Sequence, residues 1–177
     1  NGNGYAFDLD GDHLTIRDSV ILNFGDGLDK GAIRIQANGN HYNSMIDVSD
    51  KEIFHDAIYG WNLGNATFEN LTISHLHGWP TDGIQLAGGD TVTIRGNFIN
   101  MSGSNINKGA FIVTDSAVEA DNYLIEYNEV HHGNFGIESE GDNHMVRYNY
   151  AKDQGTESGA AWASGLYASG EAGGNNI

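Results

Sequence analysis

A short motif recurs along most of this chain at intervals of 25 to 27 residues. Each copy has a small residue, then an apolar residue and, in most copies, a second apolar residue two positions later. The small residues are Ala6, Ala32, Ala57, Gly83, Ala110 and Gly136. The apolar residues directly after them are Phe7, Ile33, Ile58, Ile84, Phe111 and Ile137. Apolar residues at every second position predict a strand, because strand side chains alternate between two faces.

A second strand is predicted within most repeats, at residues 14–16, 92–94, 123–125 and 145–146. Polar residues recur three positions after its last apolar residue. They are Ser19, Asn97, Asn128 and Asn149, with Asn70 one place early in its repeat. Stacked Asn side chains can hydrogen-bond to the copies above and below them, as they do in cross-β stacks. We therefore expect an asparagine ladder.

Strands of one kind that recur about every 26 residues, without helices between them, can pair in parallel only if the chain coils. No stretch has a helical period with caps. The sequence predicts an all-β fold, a right-handed single-stranded parallel β-helix of about six coils at residues 1–152. Residues 153–177 would form a last partial coil and a Gly-rich C-terminal tail. The alternative is an antiparallel sandwich, in which strands usually recur every 8 to 12 residues.

The sequence GIQLAGG at residues 83–89, with VTIRGN at residues 92–97 and the other copies, resembles the right-handed parallel β-helix superfamily. That superfamily includes pectate lyases, polysaccharide epimerases and phage tailspikes. The resemblance spans about residues 4–152 and specifies architecture better than chemistry.

A second, local resemblance is to secreted bacterial mannuronan epimerases, at residues 4–8, 14–20 and 27–29. It implies that Tyr5 and Asp8 match the family's Tyr and Asp. Residues 9–11 read Leu-Asp-Gly where the family has Pro, a catalytic His and an acid. This departure puts an active epimerase site at this end of the chain in doubt, although the resemblance still favours alginate-like substrates.

The chain has 8 basic and 24 acidic residues, for a formal net charge of −16. This balance argues against nucleic acid and anionic membranes as partners, because phosphate binding needs clustered cations. No apolar run approaches the roughly 18 residues of a membrane helix. Such acidity suits salty extracellular surroundings, and the resemblance implies a secreted protein. Acidic side chains also suit Ca²⁺, which takes oxygen ligands.

In a coiled chain, aligned positions form stripes on the surface. The outward position after each Phe7-type residue holds Asp8, Arg34, Tyr59, Gln85, Ile112 and Glu138. The turn position before the strand holds Gly4, Lys30, His55, Thr81, Lys108 and Asn134. Proton abstraction next to a uronate carboxylate needs a cation to neutralise that group, together with a base and an acid. The predicted catalytic residues are Lys30, Arg34 and Lys108 as neutralising cations, and Tyr59 and His55 as base and acid.

The predicted substrate-binding residues are Gln85, Asp82, Trp79 and Glu138. Trp79 would provide a face for sugar stacking. The alternative for this stripe is a solvated surface whose polar side chains pair with one another. The histidine pairs 75 with 77 and 131 with 132 are expected at the surface or partly buried, since neither Cys nor carboxylates complete a metal site there.

Asp8, Asp10 and Asp12 lie in a segment that resembles a calcium loop, but its Gly comes too early for an EF-hand and no Glu follows at the required spacing. These three residues are the candidate metal ligands, and Ca²⁺ is the only cofactor expected.

Two functions follow from these patterns. The first is a lyase or epimerase of an acidic, uronate-containing polysaccharide. The alternative is a non-catalytic carbohydrate-binding or structural β-helix segment of a surface protein, adhesin or tailspike. In either case we expect self-association or further domains at the uncapped ends of the coil, because unpaired strand edges are prone to aggregate.

Overall fold

The computed structural model describes residues 5–10, 14–22, 32–36, 44–54, 56–77, 82–102, 109–114, 118–154 and 164–169. These residues form strands and turns and contain no helix, hence none that could span a membrane. The strands are β1 (Phe7–Asp10), β2 (Thr15–Leu22), β3 (Ile33–Gln36), β4 (Ser44–Phe54), β5 (Ile58–Gly64), β6 (Thr67–Glu69), β7 (Thr72–His77), β8 (Ile84–Asp90), β9 (Thr93–Arg95), β10 (Phe98–Asn100), β11 (Gly109–Thr114), β12 (Ala120–Asp121), β13 (Leu124–Glu126), β14 (Glu129–His131), β15 (Phe135–Glu140), β16 (Met145–Arg147), β17 (Tyr150–Lys152) and β18 (Ser164–Ser169).

Sheet A contains one strand from each repeat, in the order β1-β3-β5-β8-β11-β15-β18, with β12 also paired to β8. All of these pairs are parallel. The predicted apolar column is confirmed residue by residue, and β18 extends it. Its members in register are Phe7, Ile33, Ile58, Ile84, Phe111, Ile137 and Leu166. The antiparallel sandwich is therefore wrong for the described strands.

The middle members of this column form the core, whereas its two outermost members are exposed. Residues Ile33 to Ile137 in the column are at most 2% exposed. Phe7 is 38% exposed and Leu166 is 50% exposed, since each has a described column neighbour on one side alone. Burying an aliphatic or aromatic side chain of this size contributes roughly 1.5–3 kcal/mol. Pairing of each strand with the corresponding strands of the neighbouring repeats is thus what buries this column.

The position two residues after each column residue is also apolar in most repeats. Gly60 and Ser139 are the exceptions, and the structure explains both. At Gly60, an added Cβ would lie 2.6 Å from Leu86 Cδ2 and 2.8 Å from Leu63 Cδ1, so leucines fill the space that a side chain would need. Ser139 is fully buried, and its Oγ lies 2.6 Å from Nδ1 of buried His144. The Ser139 exception is therefore a satisfied polar pair inside the core.

Sheet B has the strand order β16-β13-β9-β6-β4-β7-β10-β14-β17, and β2 also pairs with β4. The long strand β4 joins two parallel ladders, because residues 44–46 pair with β6 and residues 49–54 pair with β7. The same ladders continue through the later repeats, with β6, β9, β13 and β16 in one and β7, β10, β14 and β17 in the other.

The asparagine ladder is confirmed between these two parts of sheet B. Asn97 Nδ2 donates to Asn128 Oδ1 at 2.9 Å, and Asn128 Nδ2 donates to Asn149 Oδ1 at 2.9 Å. Each side-chain oxygen also accepts a backbone N–H from the preceding repeat. At the end of the ladder, Leu71 N donates to Asn97 Oδ1 at 2.8 Å. The column thus fixes both the register and the corner between strands.

Asn70 and Ser19 do not take part in this ladder. Asn70 precedes the ladder position and has a φ of 54°, so it forms the left-handed corner residue and Leu71 takes the ladder position. Ser19 Oγ donates locally to the Arg17 carbonyl at 2.7 Å.

Single left-handed residues turn the chain between strands in successive repeats. One such column holds Asn65, Thr91, Asn122 and Asn143, with φ values from 52° to 59°. Asn tolerates this conformation well.

Candidate functional site

The predicted outward row lies in register on sheet A. Asp8 pairs with Arg34, Arg34 with Tyr59, and Tyr59 with Gln85. The row continues through the backbone of Ile112 to Glu138. Arg34 and Tyr59, which are 25 residues apart in sequence, are therefore lateral neighbours, as predicted.

Arg34 contacts two other residues on this face. Its Nε and Nη2 donate to the two Asp8 carboxylate oxygens at 2.7 and 2.5 Å. Its Cζ also lies 5.1 Å from the centre of the Tyr5 ring, within cation–π range. We call Tyr5, Asp8, Arg34 and Tyr59 the Arg34 cluster. It contains a planar cation, a carboxylate and two phenols on one open face.

Both phenols of the cluster are protonated at neutral pH. Burial raises the pKa of Tyr59, the Asp56 carboxylate raises it further, and Arg34 opposes these effects. Burial also raises the pKa of Tyr5, which Arg34 again partly offsets. The hydrogen bond to Asp8 raises the pKa of Arg34. Tyr5 and Tyr59 are therefore suited to donate protons or hydrogen bonds, whereas a phenolate base is disfavoured at neutral pH.

Trp61 extends the same face but was missed from the sequence. It lies two residues after Tyr59 in β5, so both side chains point to the outer face. Both are partly exposed. The predicted outward row contains one outward position from each repeat. It leaves out the position two residues later, where Asp10, Gln36, Trp61 and Ala87 are in register. Counting both outward positions of each strand would have found Trp61.

Asp56 and Asp82 are both buried, and each has a carboxylate oxygen that accepts a backbone N–H. Asp56 Oδ1 accepts the Asp82 N–H at 2.8 Å. Asp82 Oδ1 accepts the Gly109 N–H at 3.0 Å. These two bonds connect successive repeats, and the predicted substrate-binding role of Asp82 stays a prediction. Gln85 and Glu138 are partly exposed on the outward row.

Several predicted residues lie outside the described part of the chain. They are Asp12, Lys30, His55, Trp79 and Lys108. Their predicted roles stay predictions.

The two candidate calcium ligands that the structure describes, Asp8 and Asp10, differ in their surroundings. Asp8 is engaged by Arg34, and Asp10 is exposed two residues further along the strand. Within the described ranges, no group of three or more His, Asp or Glu side chains is placed to hold a metal ion. Calcium binding therefore stays a prediction.

His131 and His132 are partly exposed on sheet B. His131 Nε2 lies 2.7 Å from Glu129 Oε1, and the His131 ring contacts Phe98 and Tyr150 edge-on. This agrees with a surface position. The side chains of His75 and His77 are not among those described.

Comparisons with family models, curated proteins and solved structures found no match. The fold and the site define an all-β protein of parallel sheets with an aromatic and charged outer face.

Proposed function

We propose that this chain is a right-handed parallel β-solenoid that binds an acidic polysaccharide on the outer face of sheet A. Strands one repeat apart pair in parallel throughout, which supports coiling. Right-handed connections between parallel strands of one sheet are favoured in about 98% of cases. The observation that carries the functional part is the Arg34 cluster, in which a guanidinium lies beside two protonated phenols.

The chemistry of the cluster matches a uronate residue. A guanidinium binds a carboxylate through two parallel hydrogen bonds. Tyr5 and Tyr59 provide hydroxyl donors, and aromatic side chains such as Trp61 provide apolar faces for sugar rings. A linear polymer suits an open face, since successive sugars can lie along the row.

Asp8 competes with such a ligand for the Arg34 guanidinium. It accepts hydrogen bonds from Nε and Nη2 of Arg34, and its negative charge offsets the attraction of the guanidinium for an incoming carboxylate. Substitutions at Arg34 and Asp8 therefore have opposite effects. Arg34→Gln should weaken binding of polygalacturonate or alginate about tenfold or more. Asp8→Asn should tighten it, because the guanidinium is then uncompensated.

Isothermal titration calorimetry with oligomers of these polymers measures both effects. About 0.15 M salt is suitable, because a Debye length of about 8 Å limits the general repulsion from the net charge. Arg17→Gln is the matched control: it removes an exposed arginine of sheet B that pairs with Asp18 at 3.0 Å. Equal losses for Arg34→Gln and Arg17→Gln would contradict the proposal, as would weaker binding after Asp8→Asn.

A second candidate function is a uronate lyase or epimerase. It is favoured by the presence of two protonated phenols next to the cation, since these reactions need a neutralised carboxylate and an acid. The base would come from the predicted residues Lys30, His55 or Lys108. A lyase yields an unsaturated product that absorbs ultraviolet light, and an epimerase yields an inverted uronate visible by NMR. Tyr59→Phe should abolish either signal, and full activity of that variant would exclude this mechanism.

A further inference from the structure

Two exposed tyrosines stack on each other at a corner of sheet B, away from the Arg34 cluster. The rings of Tyr127 and Tyr148 have centroids 5.0 Å apart and planes 20° from parallel. Tyr127 is 57% exposed and Tyr148 is 67% exposed. The pair is therefore a surface feature and contributes little to the core.

Both tyrosines adopt a left-handed backbone conformation that their residue type disfavours. Their φ values are 55° and 54°. Asn70 and Gly96 hold the corresponding corners of the two preceding repeats, at φ 54° and 65°, and are the residue types that tolerate this region. A bulky residue there is strained, and such strain is found at functional sites. The two aromatic side chains are thus held at this corner against backbone preference.

One face of Tyr127 adjoins a column position that has no side chain. Arg95 pairs in register with Glu126, so Gly96 lies next to Tyr127 on the side opposite Tyr148. Tyr148 in turn has the guanidinium carbon of Arg147 5.5 Å from its ring centre. The two phenol rings therefore lie at one end of a surface strip formed by Gly96, Tyr127 and Tyr148.

Cationic groups line the strip. Arg95 and Arg147 are each 45% exposed, and between them lies the Glu126 side chain, which is 5% exposed. Arg147 Nε lies 2.8 Å from Glu126 Oε2, and Arg95 Nη2 lies 3.0 Å from Glu69 Oε1. The inner carboxylate holds the two guanidinium groups in place, and both remain accessible to an anion from solvent.

We propose that the Tyr127–Tyr148 stack, with Arg95 and Arg147, is a second carbohydrate-binding surface that takes an acidic sugar residue. The apolar face of a pyranose ring packs on a phenol ring, and its carboxylate reaches a neighbouring guanidinium. This surface is separate from the Arg34 cluster and does not require that cluster to bind. Where both bind, one polymer engages two sides of the coil with higher avidity.

The test uses fluorine NMR of the full chain labelled with 3-fluorotyrosine. The eight tyrosines are assigned with single Tyr→Phe variants, and the protein is titrated to millimolar concentrations of trigalacturonate or neutral cellotriose. The resonances of Tyr127 and Tyr148 should shift and saturate with trigalacturonate and shift less with cellotriose. Tyr150, which is 56% exposed on the same sheet, is the internal control and should not move.

A double variant separates binding from a structural role. Tyr127→Asn with Tyr148→Asn places at both corners the residue that Asn70 uses. It should leave the melting temperature unchanged, because relief of strain offsets the lost ring contact, and weaken trigalacturonate binding at this surface about tenfold. Binding at this surface is measured by calorimetry, as the part of the heat signal that the Arg147→Gln substitution removes.

The proposal is overturned if neither tyrosine resonance responds to trigalacturonate, or if cellotriose shifts both equally. It is also overturned if the double variant lowers the melting temperature without weakening binding, since the stack is then structural. The resonances of Tyr5 and Tyr59 report the Arg34 cluster in the same spectra. Failure of one surface is therefore distinguished from failure of the other.

Discussion

Replacing Asn128 by Ala tests how much the asparagine ladder stabilises the fold. Asn128 is 1% exposed, and its side chain makes four hydrogen bonds. Oδ1 accepts from the backbone N and from Nδ2 of Asn97, and Nδ2 donates to the Ile94 carbonyl and to Asn149 Oδ1. Ala can make none of these bonds.

The expected loss follows from which partners are left unsatisfied. The Asn97 N–H loses the acceptor that Asn128 provides. The Ile94 carbonyl loses the Asn128 donor but keeps the backbone N–H of Glu126, which the parallel register of β9 and β13 places on it. Asn149 Oδ1 keeps a donor, because the backbone N–H of residue 128 still donates to it at 2.9 Å. An unsatisfied buried polar group costs about 1–3 kcal/mol, so the unpaired Asn97 N–H, together with the other bonds lost, lowers the free energy of unfolding by roughly 3 kcal/mol. That is a large fraction of the roughly 5–15 kcal/mol of a typical domain.

Urea denaturation followed by far-ultraviolet circular dichroism measures this loss, with the slope compared between variants. Asn149→Ala is the matched control. Asn149 has the same ladder role but is partly exposed, so water can replace its bonds and the loss should be about 1–2 kcal/mol. Equal losses in the two variants would refute the argument that burial makes the ladder costly to break.

Two further predictions concern single residues in the core and at a turn. Burial raises the pKa of Tyr123 above its ordinary value of 10.0. Its contribution to stability is therefore complete below that pH and is lost as pH rises through the raised value. Tyr123→Phe removes the 2.8 Å bond to the Gly88 carbonyl. It should lower the free energy of unfolding by about 1 kcal/mol at neutral pH and flatten its decline above about pH 10. Urea titrations at several pH values measure this, and an unchanged alkaline slope would contradict it. Gly141 has a φ of 119°, and a Cβ there would collide with the Ala120 carbonyl oxygen. Gly141→Ala should lower the melting temperature by several degrees, as expected for about 2 kcal/mol in a chain of this size. Gly165→Ala is the control, because its Cβ would lie 3.5 Å from Ala151 Cβ, an ordinary contact. Equal shifts in differential scanning calorimetry would contradict the steric argument.

The periodicity of the sequence was sufficient to predict the stacked columns. Apolar and outward positions one repeat apart lie in the predicted register, from Phe7 with Ile33 to Phe111 with Ile137. The prediction succeeds because the two-residue period of strand side chains and the nearly constant repeat length leave little freedom in the register. Asn97, Asn128 and Asn149 were predicted for the same reason, since a buried amide has few partners except its own copy.

The composition of the sites was harder to predict, because it depends on which polar side chains are buried. The burial of Asp82 and its bond to the Gly109 N–H, for example, are not indicated by its position in the repeat. Tyr127 and Tyr148 carry no local signal for a left-handed corner, since Tyr rarely adopts that conformation. The bidentate pairing of Arg34 with Asp8 depends on side-chain geometry that spacing alone does not determine.

The stacking of each repeat directly on the next is best tested by cysteine crosslinking, since the natural chain contains no Cys. Thr67 pairs with Thr93, and Thr93 pairs with Leu124. Adjacent strands are about 4.8 Å apart, within disulfide range, whereas strands separated by one other strand are about 9.6 Å apart and cannot be bridged. Mild oxidation should close the disulfide in Thr67→Cys/Thr93→Cys and leave Thr67→Cys/Leu124→Cys reduced, as read by intact mass. Closure of the second pair as readily as the first, or failure of the first, would contradict the stacked arrangement.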